Sequence, residues 1–257
     1  MAKTALITGA TAGIGEATAH ALAAEGYNLI LTGRRASRLR DLKRCLEREY
    51  SIEALALGFD LRDRAQCEAS INALPAEFRE IDVLINNAGL ASGLDFVQAG
   101  DPNDWDAMID TNIKGLLYIT RLVSARMVAR GTGHIVNIGS IAGTQPYPKG
   151  AVYAGTKHAV HAISQAMRAD LLGTGVKVTE IRPGMVETEF SIVRFHGDRE
   201  RADEIYEGVT PLTGSDVADA ICWALSRPAH VNIDEVMLTC TQQASVYYLH
   251  KNLPDND

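Results

Sequence analysis

Seven short runs rich in valine, isoleucine and leucine recur along this chain, and patterns of helical period separate them. The runs are Thr4–Gly9, Asn28–Gly33, Glu53–Asp60, Ile81–Gly89, Gly133–Ser140, Val176–Gly184 and a short one near Glu235–Thr239. Helical patterns cover Gly13–Gly26, Ala36–Tyr50, about Arg64–Leu74, Pro102–Arg130 (two helices expected), Ala151–Leu172 and Ser215–Pro228. A strand that is apolar throughout, rather than at alternate positions, is buried on both faces. Strands that each lead into a helix are joined by right-handed crossovers. The chain is therefore predicted to form a doubly wound, parallel, Rossmann-type α/β sheet. With 257 residues, no linker, no low-complexity stretch and no internal repeat, a single domain over 1–257 is expected.

Composition narrows the partners. A net charge of −7 disfavours nucleic acid or an anionic membrane surface. No apolar run is long enough to span a bilayer. The opening MAKTALITGATAGIG enters a strand at once and leaves no room for a signal peptide. Cys45, Cys67, Cys222 and Cys240 are scattered without a C-x-x-C, as expected of free thiols in a reducing compartment, and a cytoplasmic location is the expectation. His20, His158, His161 and His196 form no metal-ligand grouping with nearby cysteines or acids, so no metal is expected.

TGATAGIG follows the first strand and opens the first helix. In this loop (Gly9, Thr11, Ala12, Gly13, Ile14, Gly15) the glycines let backbone turn sharply and approach a pyrophosphate, and helix N-terminal amides face the anion. The end of the second strand reads the cofactor. An NAD site usually carries an acid there. This chain has Gly33, Arg34 and Arg35, with no carboxylate before Asp41. A guanidinium suits a 2′-phosphate, so NADP is predicted over NAD, the alternative being two solvated surface charges. Asp60 and Leu61, ending the third strand, would meet the adenine. Asn87, Ala88 and Gly89, ending the fourth, would border the adenosine ribose.

Tyr153 and Lys157 are four residues apart and share a helix face, and Ser140 ends the strand before them. A free phenol has a pKa of ~10. A lysine ammonium beside it would favour the phenolate and make the tyrosine a proton donor and acceptor near neutral pH. Ser140 would hold the substrate oxygen meanwhile. Tyr247 and Lys251 repeat the spacing with no serine in register, and that pair reads as chance.

The set TGATAGIG, NNAG (Asn86–Gly89), Asn112, Ser140, YAGTK (Tyr153–Lys157) and RPGMVET (Arg182–Thr188) resembles the short-chain dehydrogenase/reductases, in order, from about Thr4 to Thr188. The resemblance implies that Tyr153 is the general acid in carbonyl reduction and the base in alcohol oxidation. It implies that Lys157 binds the nicotinamide ribose and that Asn112 holds a water in a proton relay. Pro183, Gly184, Val186 and Thr188 would cradle the nicotinamide carboxamide and pyrophosphate. A homotetramer is implied too. The stretches GHIVNIGSIAG, VETEFSIVRFHGD, PAHVNI and TQQAS further resemble a subgroup, the NADP-dependent 3-hydroxy acid dehydrogenases. Members of that subgroup oxidise serine and allo-threonine and reduce malonic semialdehyde; sulfoacetaldehyde reductases are near relatives.

Such substrates are small and carry an acid. The polar segment Ser191–Gly208 lies past the sixth strand, where open α/β sheets bind ligands, and reads as a lid or as a solvated surface helix. Its Arg194 is the candidate clamp for the substrate acid, with Arg182 as a second candidate and a surface salt bridge as the alternative. The aromatic end YYLHKN is expected to dock on a neighbouring subunit or to fray. Two other readings are a reductase of larger ketones and a non-catalytic NADP-binding regulator. The latter would be expected to have lost the tyrosine or the lysine.

Overall fold

The computed structural model describes residues 2–252. The chain runs β1 (Thr4–Thr8), α1 (Gly13–Ala24), β2 (Asn28–Gly33), α2 (Ala36–Tyr50), β3 (Ala54–Gly58), α3 (Arg64–Asn72) and β4 (Val83–Asn86). It continues through α4 (Pro102–Ile109), a π-helical turn (Asp110–Gly115), α5 (Leu116–Arg130), β5 (Gly133–Ile138), α6 (Ala151–Asp170) and β6 (Val176–Pro183). It ends with α7 (Glu189–Arg194), α8 (Arg199–Glu204), α9 (Gly214–Leu225) and β7 (Glu235–Leu238). Caps set several helix boundaries: Asp63 accepts from Ala65 N and Gln66 N at α3, and Thr213 and Asp216 form a capping box at α9.

All strands are parallel, in the order β3-β2-β1-β4-β5-β6-β7, which is the predicted doubly wound sheet. Successive side chains of β1 enter different cores. Ala5 and Ile7 pack with Leu22, Leu39, Val217 and Ile221 from α1, α2 and α9. Leu6 packs with Ile71, Ile119, Val123 and Val160 from α3, α5 and α6. With an apolar layer on each face, every central strand must be apolar at consecutive positions. The strand order reverses between β1 and β4, which leaves a crevice beyond their carboxyl ends.

A buried polar network braces that crevice. Asn86 Nδ2 donates to Thr120 Oγ1 at 2.8 Å and to Asn137 Oδ1 at 2.9 Å, and Asn137 Nδ2 donates to Ser164 Oγ at 2.9 Å. It ties β4 and β5 to α5 and α6 just below the site. Asn137→Ala strands buried donors and acceptors in this network. It is expected to cost about 1–3 kcal/mol of stability, read as a lower urea midpoint at unchanged m-value.

No described helix is long and apolar enough to cross a membrane. The tail packs on its own chain. Val246 N donates to Gln145 Oε1 at 3.0 Å, Tyr247 Oη to Pro146 O, Lys251 Nζ to Glu204 O at 3.2 Å and Asn252 N to Gly208 O at 2.8 Å. Tyr247 and Lys251 are not on a helix, and they hold different segments of the chain.

Candidate active site

A cavity of about 350 Å³ fills the crevice. All the predicted site residues line it except Gly15, Asn112, Arg194 and the second clamp candidate, Arg182. Gly13 has φ +57°, in the left-handed region, and a Cβ there would stand 3.0 Å from Thr188. Gly15 lies beneath the loop, where a Cβ would run into Gly9 O and Asn87 Nδ2. The α1 N-cap, Ala12, makes no side-chain cap hydrogen bond, which leaves first-turn amides open to an anion. The loop is fastened to β4: Thr8 Oγ1 accepts from Asn87 N and Ala88 N, both at 3.0 Å, and Asn87 Nδ2 donates to Thr8 O at 2.9 Å.

Arg34 and Arg35 stand at one end of the cavity, where sequence places them. Arg35 Nε and Nη2 donate to Thr11 Oγ1 at 3.0 and 2.7 Å, while its Nη1 donates to Glu189 Oε2 at 2.6 Å. Arg38, one turn into α2, donates to the other Glu189 oxygen at 2.7 Å. The side chain of Arg34 makes no hydrogen bond or ion pair with the described residues. Asp60 pairs with Arg62 at 2.7 Å, and that contact holds its carboxyl below the usual range.

At the other end stand Ser140, Tyr153 and Lys157. Ser140 Oγ accepts from Ala142 N at 3.1 Å, so its own O–H is free to donate. Lys157 Nζ donates to Ile138 O at 2.8 Å, and burial lowers its pKa to about 8. The expected lysine–phenol contact is not a direct hydrogen bond. The ammonium lies 5.9 Å from the Tyr153 ring centroid, because the β5 carbonyl has captured it. Burial, and next the Tyr147 phenol, instead push Tyr153 up to about 12. Ser140 and the Arg194 cation act the other way.

Asn112 sits on the π turn behind Gly89. Its Oδ1 accepts from Leu90 N at 2.9 Å, and its Nδ2 donates to Leu90 O at 2.8 Å and Thr156 Oγ1 at 3.0 Å. Both side-chain donors are thus used within the protein, leaving its backbone and one lone pair for a water.

The expected lid comprises α7 and α8. Arg194 lies over Tyr153, with Cζ 5.6 Å from the ring centroid, and Nη2 donates to Tyr147 Oη at 2.5 Å. Among the described residues it has no carboxylate partner. Arg182 is corrected: it is buried, pairs with Glu235 at 2.7 Å and donates to Thr144 Oγ1, so it does not reach the substrate space. The histidine reading is corrected too. His161 Nδ1 lies 2.7 Å from Glu180 Oε2, and Glu235 is close by. Arg182 neutralises Glu235, so the cluster reads as a compensated ion network.

Sequence reasoning missed Glu189, Arg38, Tyr147 and Phe190, whose ring meets Tyr153 edge-on at 5.6 Å. These contacts join segments remote in the chain, and no spacing rule reports them.

Comparison with known proteins agrees with this geometry. The short chain dehydrogenase model matches residues 3–198. The chain is 48% identical over 249 residues to the NADP-dependent 3-hydroxy acid dehydrogenase YdfG of Salmonella typhi, covering 96% of this chain and 99% of that protein. It is 44% identical over 245 residues to sulfoacetaldehyde reductase 2 of Chromohalobacter salexigens, covering 95% and 96%. The closed form of serine dehydrogenase complexed with NADP+ superposes with a TM-score of 0.90 at 45% identity, covering 95% and 97% of the two chains. The chain belongs to the short chain dehydrogenase family.

Proposed function

We propose that the protein is an NADP-dependent oxidoreductase that interconverts a small 3-hydroxy acid, of the serine, allo-threonine or 3-hydroxypropionate type, with its carbonyl form. The observation that carries this reading is Arg194. It is a guanidinium without an acid partner among the described residues, held over the Tyr153 ring, which lines the cavity. A small substrate with its carbonyl at Tyr153 would bring its carboxylate to Arg194. A sulfonate would fit the same cation, and the Chromohalobacter relative keeps sulfoacetaldehyde as a second substrate reading.

The residues present fit NADP. Gly13, at φ +57°, has no room for a side chain against Thr188 and leaves backbone on the cavity wall, and the side chain of Arg34 is left without a hydrogen-bond or ion-pair partner among the described residues. Gly9, Thr11, Ala12, Gly13, Ile14 and Gly15 would hold the pyrophosphate, and Arg34 and Arg35 the 2′-phosphate. Asp60, Leu61, Asn87, Ala88 and Gly89 would border the adenosine, and Pro183, Gly184, Val186 and Thr188 the nicotinamide half. When bound, NADP supplies the acceptor or donor of hydride.

The chain's own groups handle the proton. In reduction, Ser140 donates a hydrogen bond to the substrate carbonyl, and Tyr153 gives that oxygen its proton as the alcohol forms. In oxidation, Tyr153 takes the hydroxyl proton while the carbinol hydrogen leaves as hydride. A phenol at about 12 needs positive charge beside it to ionise near neutrality. Arg194 provides one such charge, and the oxidised nicotinamide carries another. Lys157, with two N–H groups left after the Ile138 contact, anchors the ribose and passes a proton toward Asn112. Four free cysteines are consistent with a cytoplasmic protein. Exposed Leu117 and Val128 on α5, with Trp223 on α9 and Met237 on edge strand β7, suit burial in a homotetramer.

The test is initial-rate NADP reduction with L-serine, L-allo-threonine and 3-hydroxypropionate, beside NAD. NADP is expected to be favoured, and Arg34→Ala to weaken NADP by about 10- to 100-fold with NAD little changed. Silence on all three acids with turnover of bulky ketones would overturn the substrate class.

A further inference from the structure

Glu180, on β6, is fully buried behind the catalytic residues, and its side chain turns toward α6. Its Oε2 accepts from His161 Nδ1 at 2.7 Å, while its Oε1 has no hydrogen-bond partner among the described residues. Gln165 Nε2 lies 3.1 Å from His161 Nε2. With that amide donating, the imidazole carries its one proton at Nδ1 and is neutral. A protonated Glu180 would have no acceptor for an O–H at Oε1, so the contacts fit a carboxylate. A buried carboxylate needs a positive charge near it. Arg182, two residues on along β6, gives its Nη1 to Glu235 of β7 at 2.7 Å, and Arg168 of α6 reaches Glu235 at 4.0 Å. Those cations are engaged by Glu235. The remaining cation is Lys157, one turn before His161 on α6. Its Nζ donates to Ile138 O at 2.8 Å. Glu180 Oε1 abuts the next residue, Gly139, where a Cβ would run into it. Carboxylate and ammonium thus bear on the same stretch of backbone at the end of β5.

We propose that Glu180 is the buried counter-charge of Lys157, a positioning residue that keeps the ammonium charged from behind the site. Burial lowers Lys157 to about 8, and Glu180 is the charge that opposes the fall. A lysine at that value is an ammonium below it and loses its charge as the pH rises through it. Without Glu180 the loss would begin at lower pH. His161 bears on the same balance: a fixed cation in its place would offset the Glu180 charge and withdraw the support from Lys157. The consequence for the cofactor, an ammonium that holds the ribose, rests on the proposed function.

The lysine can be titrated directly by NMR of the full chain, isotope-labelled at the lysine Cε. The chain has only seven lysines, and loss of one signal in Lys157→Arg identifies the one that matters. Glu180→Gln keeps the shape of the acid, and its amide oxygen can still accept from His161. The Lys157 midpoint is expected to fall by about one pH unit, roughly a tenfold loss of ammonium at a fixed alkaline pH. His161→Arg leaves Glu180 in place beside a fixed cation, at a side chain that is 17% exposed, and is expected to move the midpoint the same way. His161→Gln, which is neutral, is expected to leave it at the wild-type position. NADPH affinity, followed against pH by fluorescence, should weaken from a correspondingly lower pH in Glu180→Gln and His161→Arg, and match the wild type in mild acid. A Lys157 midpoint that stays in place in both variants, whatever their melting temperatures, overturns the counter-charge and leaves Glu180 a packing residue. If Glu180→Gln does not fold, His161→Arg decides between the same two outcomes. A midpoint that falls while the NADPH profile does not keeps the counter-charge and overturns Lys157 as the ribose anchor.

Discussion

Tyr153→Phe is expected to lower kcat by about 10²–10⁴-fold in both directions. The substitution removes one oxygen. That hydroxyl's side-chain partner is the Ser140 hydroxyl, which can turn to substrate or water, so its loss strands no buried group. The ring keeps its edge-on contact with Phe190. Stability is therefore expected to stay within about 0.5 kcal/mol of the wild type, and NADPH affinity to be nearly unchanged. A pre-steady-state measurement should find the loss in the chemical step, with no slowing of cofactor binding. Residual activity within tenfold of wild type would move the proton-transfer role to Ser140 or a water, and would sink the reading of the site.

The strands were legible because each is apolar at consecutive positions, and that pattern has few explanations once helices alternate with it. The glycine loop was legible because its context, strand before and helix after, is local. Pro102–Arg130 was readable as two helices, but the π turn between them was not. One extra residue in a turn leaves the apolar pattern almost intact, and yet it decides where Asn112 points. The same limit applies to Lys157. Spacing places it on the Tyr153 face of α6, but the end of its side chain is decided by a competitor, the Ile138 carbonyl on β5. Glu189 lies 154 residues from Arg35, and His161 is drawn to Glu180 across two elements. Pairings of that kind follow from the closed sheet and have no period to reveal them. Sequence thus located the residue types of the site, while the partners that set their charge states came from the fold.

Arg194→Ala is the sharper test of the substrate class. A charge-assisted hydrogen bond contributes ~1.5–3 kcal/mol, so loss of a clamp on the substrate acid is expected to reduce kcat/KM by about 10- to 150-fold. The loss should be selective. A neutral hydroxyketone of similar size has no acid to clamp, and its kcat/KM should fall far less. The pH profile should move as well. Arg194 lies 5.6 Å from the Tyr153 ring and favours the phenolate, opposing the burial that raises the phenol. Removing the cation raises the Tyr153 pKa further. The rise of oxidative kcat/KM with pH should shift to higher pH, while reduction, which needs the protonated phenol, keeps its activity further into alkali. Arg194→Lys restores the charge without the planar fork. It should return the pH limb toward the wild-type position and recover only part of the acid selectivity. Equal losses on acid and neutral substrates would confine Arg194 to tuning the tyrosine and pinning the lid to Tyr147, and the acid-bearing substrate would then have to be recognised elsewhere.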